Sequence, residues 1–431
     1  MGKLLNNKGY SAIVSVLLAT IVGLIIVMSL TSSMISREKL IRNVVGSAQS
    51  YYTAEAGLED MLLRMIDPDL SYDWEYTLSL AGATAEIGLG LDDGVYVIES
   101  FADKDSFVRG VEVSLVPATE GISFNYGMQV GQGGILMKND STIEGSIYSN
   151  GNIVGVNSAN ATGDVWVAGP SGLVDNFNVG GDVRAHTITD TVVDGDAYYA
   201  VDSGGNTFNG AEFPGSADPD TVDFPITDDQ INSWKAAALA GGTIGTQDID
   251  DMDFSLGPVR INGDLRISGN GDDTFTFDGT VWVTGNLVLE NSAGIELNAG
   301  YGDNSGVMIV DGDIDLKNNV IICGSEGYNE DIVDCNTPND SYIMFITTAN
   351  QLDTSDPAIM MQNNTQLRGI LYAPYGLLFI QNSATLKEAT AYQMQVENNS
   401  TIIYESGLVN LNFTSGPGGG WLIGNWLETI Q

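Results

Sequence analysis

Residues 363–402 read NNTQLRGILYAPYGLLFIQNSATLKEATAYQMQVENNSTI. One small unit recurs in them, an asparagine and a hydroxyl residue ahead of a branched apolar residue: NNTQL ending at Leu367, NSATL at Leu386 and NNSTI at Ile402. An earlier copy, NDSTI, ends at Ile143. The last three copies are 19 and 16 residues apart. That spacing suits one turn of a parallel β-solenoid, in which apolar residues stack inside and polar residues stack at the corners. Similar strand units recur, most of them opening on Gly-Asp: GDVWVAG (163–169), GDVRAH (181–186), GDAYYAV (195–201), NGDLRISG (262–269), GTVWVTGNLVL (279–289) and DGDIDLKNN (311–319). Both units predict a mainly β body over 119–415, a parallel solenoid with Ile143, Leu367, Leu386 and Ile402 at equivalent inward corners. A β-sandwich with the same number of strands is the alternative.

At 431 residues the chain is too long for one ordinary compact domain, although an elongated repeat fold absorbs most of it. Acidic residues outnumber basic ones 56 to 16. Five of the bases and a single acid, Glu38, lie within the first 42 residues, so the remainder carries 55 acids against 11 bases. Such a field repels phosphate backbones and anionic lipid, which excludes nucleic acid as a partner and leaves membrane contact to the N-terminus.

Between Lys8 and Arg37 lie 28 uncharged residues, and about 20 apolar residues suffice to cross a bilayer as a helix. The run exceeds the 7 to 15 residues of a signal-peptide core. Beyond it, Ile41, Val44, Val45, Ala48, Tyr51, Tyr52, Leu58, Met61, Leu62 and Met65 keep helical spacing, so one helix is predicted from Tyr10 to Ile66, ending before Pro68. About 10–34 of it forms the transmembrane segment. Residues 67–118 read as a small β-meander of period-two runs, TLSLAGATAEIGLGL, GVYVIESFA and RGVEVSLVPAT, with turns at Asp92-Asp93-Gly94 and Asp103-Lys104-Asp105. The fold class is therefore α+β.

The leader MGKLLNNKG, Gly9 before an aromatic Tyr10, the apolar run and then SYYTAEAGLEDMLLRM (50–65) resemble the signal and first helix of type IV pilin-like proteins, and among them the PilX-type minor pilins. The resemblance covers about the first 66 residues. It implies a prepilin peptidase that cuts between Gly9 and Tyr10 and removes residues 1–9, an inner-membrane single-pass anchor, a body outside the cytoplasm or on a pilus, and other pilin-like subunits as partners. It also marks Val14, Glu55 and Gly57 as filament-packing positions. Major pilins carry a glutamate where this chain has Val14, and PilX-type subunits resemble this chain in lacking it. The glycine-rich body resembles the bactofilin-like or adhesin-like β-helices fused to such helices. A plain signal-anchored surface protein is the other reading of the same N-terminus.

Chemistry is sparse. The one histidine, His186, falls in a predicted strand with no evident partner, and no phosphate-binding or dinucleotide fingerprint is present. Cys323 and Cys335 suit a single disulfide closing a polar loop. Aspartates cluster at 218, 220 and 223, at 248, 250, 251 and 253, and at Asp311, Asp313 and Asp315. The last three are calcium candidates by residue type, although no cluster completes an EF-hand loop; otherwise no cofactor is expected. TDDQINSWKAAALAGG predicts a helical insertion over about 227–240, with Thr227 as N-cap. Residues 416–431 read as a C-terminal cap, over the last turn of the body or as a strand returning to the pilin-like part. The expected function is that of a non-enzymatic minor pilin or pseudopilin displaying its body for adhesion to a glycan or other surface ligand. The alternative is a membrane-anchored polysaccharide-binding or polysaccharide-degrading β-helix.

Overall fold

A single helix, α1 (Lys8–Ile66), opens the computed structural model, which describes residues 8–66, 75–92, 95–117, 119–250, 252–405, 408–409, 411–414 and 421–429. The chain divides into two compact units, one built from α1, residues 70–116 and residues 423–431, the other from 117–422.

In the first unit the second half of α1 packs on a sheet of four sequential antiparallel strands, β1 (Glu75–Leu80), β2 (Ala83–Asp92), β3 (Val95–Lys104) and β4 (Phe107–Pro117). The sequence run TLSLAGATAEIGLGL is thus two strands and not one. It breaks at Ala81 and Gly82, which both take positive φ, 51° and 76°, the geometry of a tight two-residue hairpin turn. The β3–β4 turn is at Asp105 and Ser106, also at positive φ. Asp93 and Gly94 of the turn between β2 and β3 lie outside the described residues, as does Pro68. The C-terminal segment is no cap on the body. Trp421–Thr429 is the fifth strand of this sheet, beside β4, where it covers an edge that would otherwise be open.

The face of α1 buried on the sheet also differs from the stripe of large apolar residues. It consists of Gly46, Ser50, Thr53, Ala54, Gly57, Leu58 and Met61, mostly small residues that let helix and sheet approach closely. Ile41, Val44, Val45 and Tyr52 are exposed.

The second unit contains one sheet of 28 strands paired in parallel, which sets aside the antiparallel sandwich. Successive passes of the chain stack level on level. One inward ladder shows the order: Phe254, Phe275, Ile295, Ile322, Leu367, Leu386, Ile402, Ile143, Ala161, Val179, Val193 and Phe208, each the register partner of the next. Ile143, Leu367, Leu386 and Ile402 are consecutive in it and all buried. Between Ile402 and Ile143 the stack runs against the chain: the last level of the body lies on its first. The chain enters mid-stack, climbs to Glu212–Pro214 at one end, and returns to Thr243 at the other before coiling back to meet itself.

Corner chemistry explains the two sequence units. Asn157, Asn139, Asn398, Asn382, Asn363, Asn318 and Asn291 each donate a side-chain N–H one level along, the first six to the next asparagine amide oxygen and the last to Ser268, at 2.8–3.3 Å. All seven sit at positive φ, which asparagine tolerates better than most residues. In the Gly-Asp units a carboxylate accepts the backbone N–H of the next level: Asp164 from Asp182, Asp182 from Asp196 and Asp196 from Ala211, each at 2.8 Å. The preceding glycines stack backbone on backbone, and a Cβ at Gly195 would lie 2.5 Å from the Gly181 carbonyl.

The return segment follows one outer face down the stack. Asp218 meets His186, the Asp220, Val222 and Asp223 carbonyls accept from Tyr148, Asn150 and Gln129, and the Ile226 carbonyl accepts from Tyr372. It ends in α2 (Asp228–Ala240), where Thr227 and Gln230 form a capping box and Ile231, Trp234 and Ala238 are buried. With Phe124, Leu408, Leu411 and Phe413 these residues cover a second core on the outside of the stack, over Val307, Ile309, Met344, Ile346, Ile370 and Tyr372.

Candidate functional site

The first half of α1 is an uncovered apolar surface. Every residue from Ala12 to Val45 is exposed. This is the one helix among the described residues long and apolar enough to cross a membrane. No helix-breaking residue interrupts it: Gly23 has open space around it, and Thr20 and Thr31 return their hydroxyls to carbonyls one turn back, at 3.0 and 2.8 Å. Val14 is 50% exposed and points its apolar side chain outward. Gly9 and Tyr10 lie in the first turn of α1, and Met1–Asn7 lie outside the described residues.

Gly57 does not face outward for packing against a neighbour. A Cβ there would lie 2.8 Å from Ile87 Cγ1 and from Ser100 Oγ, so glycine is what lets α1 seat on β2 and β3. Gly46 serves Phe107 in the same way, with 2.6 Å available. Polar contacts fix the helix on the sheet: Arg109 Nε donates to Ser47 Oγ at 2.8 Å, and Asp60 accepts from Arg64 and from Tyr76, both at 2.7 Å. Glu55 is half-buried. A groove of about 1020 Å³ runs beside α1, lined by Leu40, Val44, Tyr52, Phe107 and Val108.

Asp311 accepts from Lys235 at 2.5 Å and from Trp282 at 3.0 Å, Asp315 pairs with Lys317 at 2.6 Å, and burial followed by the nearby Asp356 raises the Asp313 carboxyl above its ordinary range. Asp311 and Asp315 are therefore engaged by separate cations, and among the described residues no group of three His, Cys, Asp or Glu is disposed to hold a metal. Asp248 and Asp250 both bind Arg266, at 2.7 and 2.9 Å. His186 has a partner after all, Asp218 Oδ1 at 2.9 Å from Nδ1, supplied by the return segment 32 residues on. Tyr198 and Phe213 stack face to face at 4.5 Å, and Arg184 lies 3.8 Å from the Tyr198 ring centre, while Phe213 stays exposed.

One charged cluster has no signal in the local sequence. Arg368 lies 2.9 Å from Glu326, and Lys387 lies 2.6 Å from Glu405, which also accepts from Tyr342 at 2.8 Å. Burial pushes Glu326 up; it opposes ionisation of Glu405 too, but there the Lys387 and Tyr342 hydrogen bonds prevail and the carboxyl stays below its ordinary range. Both bases are thus already paired. Cys323 and Cys335 are joined as a disulfide beside this cluster.

No protein-family model matches the chain, and no curated protein does. Among solved structures, the competence-associated pilin ComZ from Thermus thermophilus aligns with 90% of this chain and 98% of its own length at 11% identity, with a TM-score of 0.22.

Proposed function

We propose that this chain is a membrane-anchored, pilin-like minor subunit of PilX type without enzymatic activity, held in the inner membrane before assembly and displaying its body outside for adhesion. The observation that carries the reading is the division of α1. Its second half is built into a sheet through small residues, while its first half and the large apolar residues Ile41, Val44, Val45 and Tyr52 are left uncovered. A helix of this kind suits lipid before assembly and neighbouring helices afterwards. Val14 brings no carboxylate to that environment, which suits an occasional subunit better than the repeated packing of a shaft. The body, read as a β-solenoid, needs no catalytic residue for display, and its paired bases disfavour a lyase-like site.

Prepilin peptidase cleavage between Gly9 and Tyr10 is the step that tests the reading. Mass spectrometry of protein from cells should find a chain beginning at Tyr10, and Gly9→Leu should retain the leader and stay in the membrane. With Lys3 and Lys8 attached, leaving the bilayer would draw two ammonium groups into an apolar core, at roughly 3 kcal/mol or more each. A wild-type chain that keeps Met1 or Gly2 and yields no species beginning at Tyr10 would leave a plain signal-anchored surface protein.

A further inference from the structure

At one end of the stack an outer column combines stacked rings with hydrogen-bonding groups that the protein leaves unused. Trp166, Arg184, Tyr198 and Phe213 are register partners on four successive levels, about 4.8 Å apart. Arg184 lies 3.8 Å from the Tyr198 ring centre, and Tyr198 stacks on Phe213 with 6° between the planes. Phe213 belongs to the last strand at this end, Glu212–Pro214, and is 41% exposed. Tyr198 covers one of its faces, and no level lies beyond the other. A further strand is not what belongs there: Pro214 has no N–H to give a partner, and Glu212 sets a charge on the edge. The backbone edge is closed while the ring beside it stays open.

Of the eight basic residues after Thr119, six are ion-paired and Arg260 is half-buried over Trp282. Arg184 is exposed, and its guanidinium has no carboxylate partner among the described residues. Two residues along the same strand, His186 sets Nδ1 2.9 Å from Asp218 of the return segment. The Asp218 carboxylate can only accept, so Nδ1 carries the proton and Nε2 of the neutral ring is an acceptor. A donor fork and an oriented acceptor beside stacked rings match a ligand whose hydroxyls both give and take hydrogen bonds and whose C–H faces are flat and apolar. The net charge of −40 opposes an anionic version of it. We propose that Arg184, His186, Tyr198 and Phe213 form a binding site for a neutral glycan that runs along the column, one sugar ring against the exposed Phe213 and the hydroxyls of the next sugars on Arg184 and His186. The site rests on the adhesive part of the function proposed above and supplies its ligand class.

Full-length protein in a detergent without a sugar headgroup would be applied to an array of neutral, uronate-bearing and sialylated oligosaccharides, and the strongest neutral binder titrated against variants by calorimetry. Neutral glycans should bind and the acidic ones should not. Phe213→Ala and Arg184→Ala should each weaken binding about tenfold, whereas Phe213→Tyr keeps the ring and should retain it. Tyr375→Ala, which removes an exposed ring elsewhere in the body, should leave binding unchanged. Both site variants should unfold at the wild-type temperature, since each replaces an exposed side chain; if Phe213→Ala unfolds early, Phe213→Leu keeps apolar bulk without the ring and carries the same expectation. No neutral glycan bound, a preference for the acidic sugars or for a peptide, or binding that survives loss of the Phe213 ring would each overturn the proposal. A chain that begins at Tyr10 in cells yet binds no neutral glycan would overturn this site and leave the pilin-like reading standing.

Discussion

Glu388 is the residue whose chemistry is least expected from its neighbours in sequence. It is 1% exposed on the outer face of the stack, Thr390 donates to one carboxyl oxygen at 2.7 Å, and the other oxygen has no hydrogen-bond partner. Burial raises its pKa well above the ordinary glutamate value, with the Thr390 hydrogen bond opposing only in part. A carboxyl whose folded pKa is raised contributes its full stability below the unfolded value, and that contribution falls as pH rises toward the folded value. Glu388→Gln should therefore be more stable than wild type at pH 8 and lose its advantage near pH 4, as chemical denaturation of both at the two pH values would report. Gly57 makes the opposite case, a residue with no chemistry whose lack of a side chain is essential. Gly57→Leu would drive atoms into Ile87 and Ser100, and thermal unfolding should show the first unit destabilised by about 1–3 kcal/mol. The sequence around both residues is uninformative for the same reason. A buried carboxyl in a strand reads like an exposed one, and a helical glycine reads like any small residue, until the element it packs on is known.

At the scale of elements, the corner rows decide how the levels hold together. Each asparagine in the middle of the row both gives and receives a side-chain hydrogen bond. Asn382→Ala would lose the bonds to Asn363 and from Asn398 and would place alanine at φ 57°. Two hydrogen bonds at about 1 kcal/mol each and a left-handed alanine at about 1–2 kcal/mol sum to a loss of about 3–4 kcal/mol. Asn382→Gly removes the backbone part and should recover about 1 kcal/mol of it, a difference that denaturant titration of the two variants resolves. Elements such as these were legible because their signals are local. The asparagine precedes its apolar partner by four residues in NNTQL, NSATL and NNSTI, and Thr227 lies three residues before Gln230 in the α2 cap. What could not be read depends on distant chain. Val307, Ile309, Met344 and Ile346 face outward from the stack yet are buried, because α2 and Leu408, Leu411 and Phe413 cover them. His186 acquires Asp218, and Arg368 acquires Glu326, only once the return segment and the disulfide loop are folded in place.

For the whole molecule, stack order departs from chain order at one joint, where Thr401–Ile403 pairs with Thr142–Glu144. Repeat spacing reports neighbours along the chain, so the sequence holds no sign that Ile402 meets Ile143. The joint makes position in the stack matter more than position in the sequence. Ile143→Asp or Ile402→Asp would bury a charge between the two halves and should expose both to hydrogen exchange, whereas Phe208→Asp, at an end and only partly buried, should raise exchange in the last level alone. The levels at the two ends differ in length, 21 and 20 residues at the Phe254 end against 14 and 15 at the Phe208 end. The two ends therefore differ in perimeter, and neither fits the other as a continuation, which guards the open edges against endless stacking. Because the body begins and finishes at mid-stack, Thr119–Ile122 and Leu411–Thr414 leave it side by side as an antiparallel pair, and the chain then rejoins the first unit through the strand beside β4. The body is thus joined to the first unit covalently after β4 and, at its other end, through a strand held in that sheet by backbone pairing. A proteolytic cut in the C-terminal connection leaves the body covalently anchored, whereas a cut after β4 leaves it held only by the pairing of the Trp421–Thr429 strand.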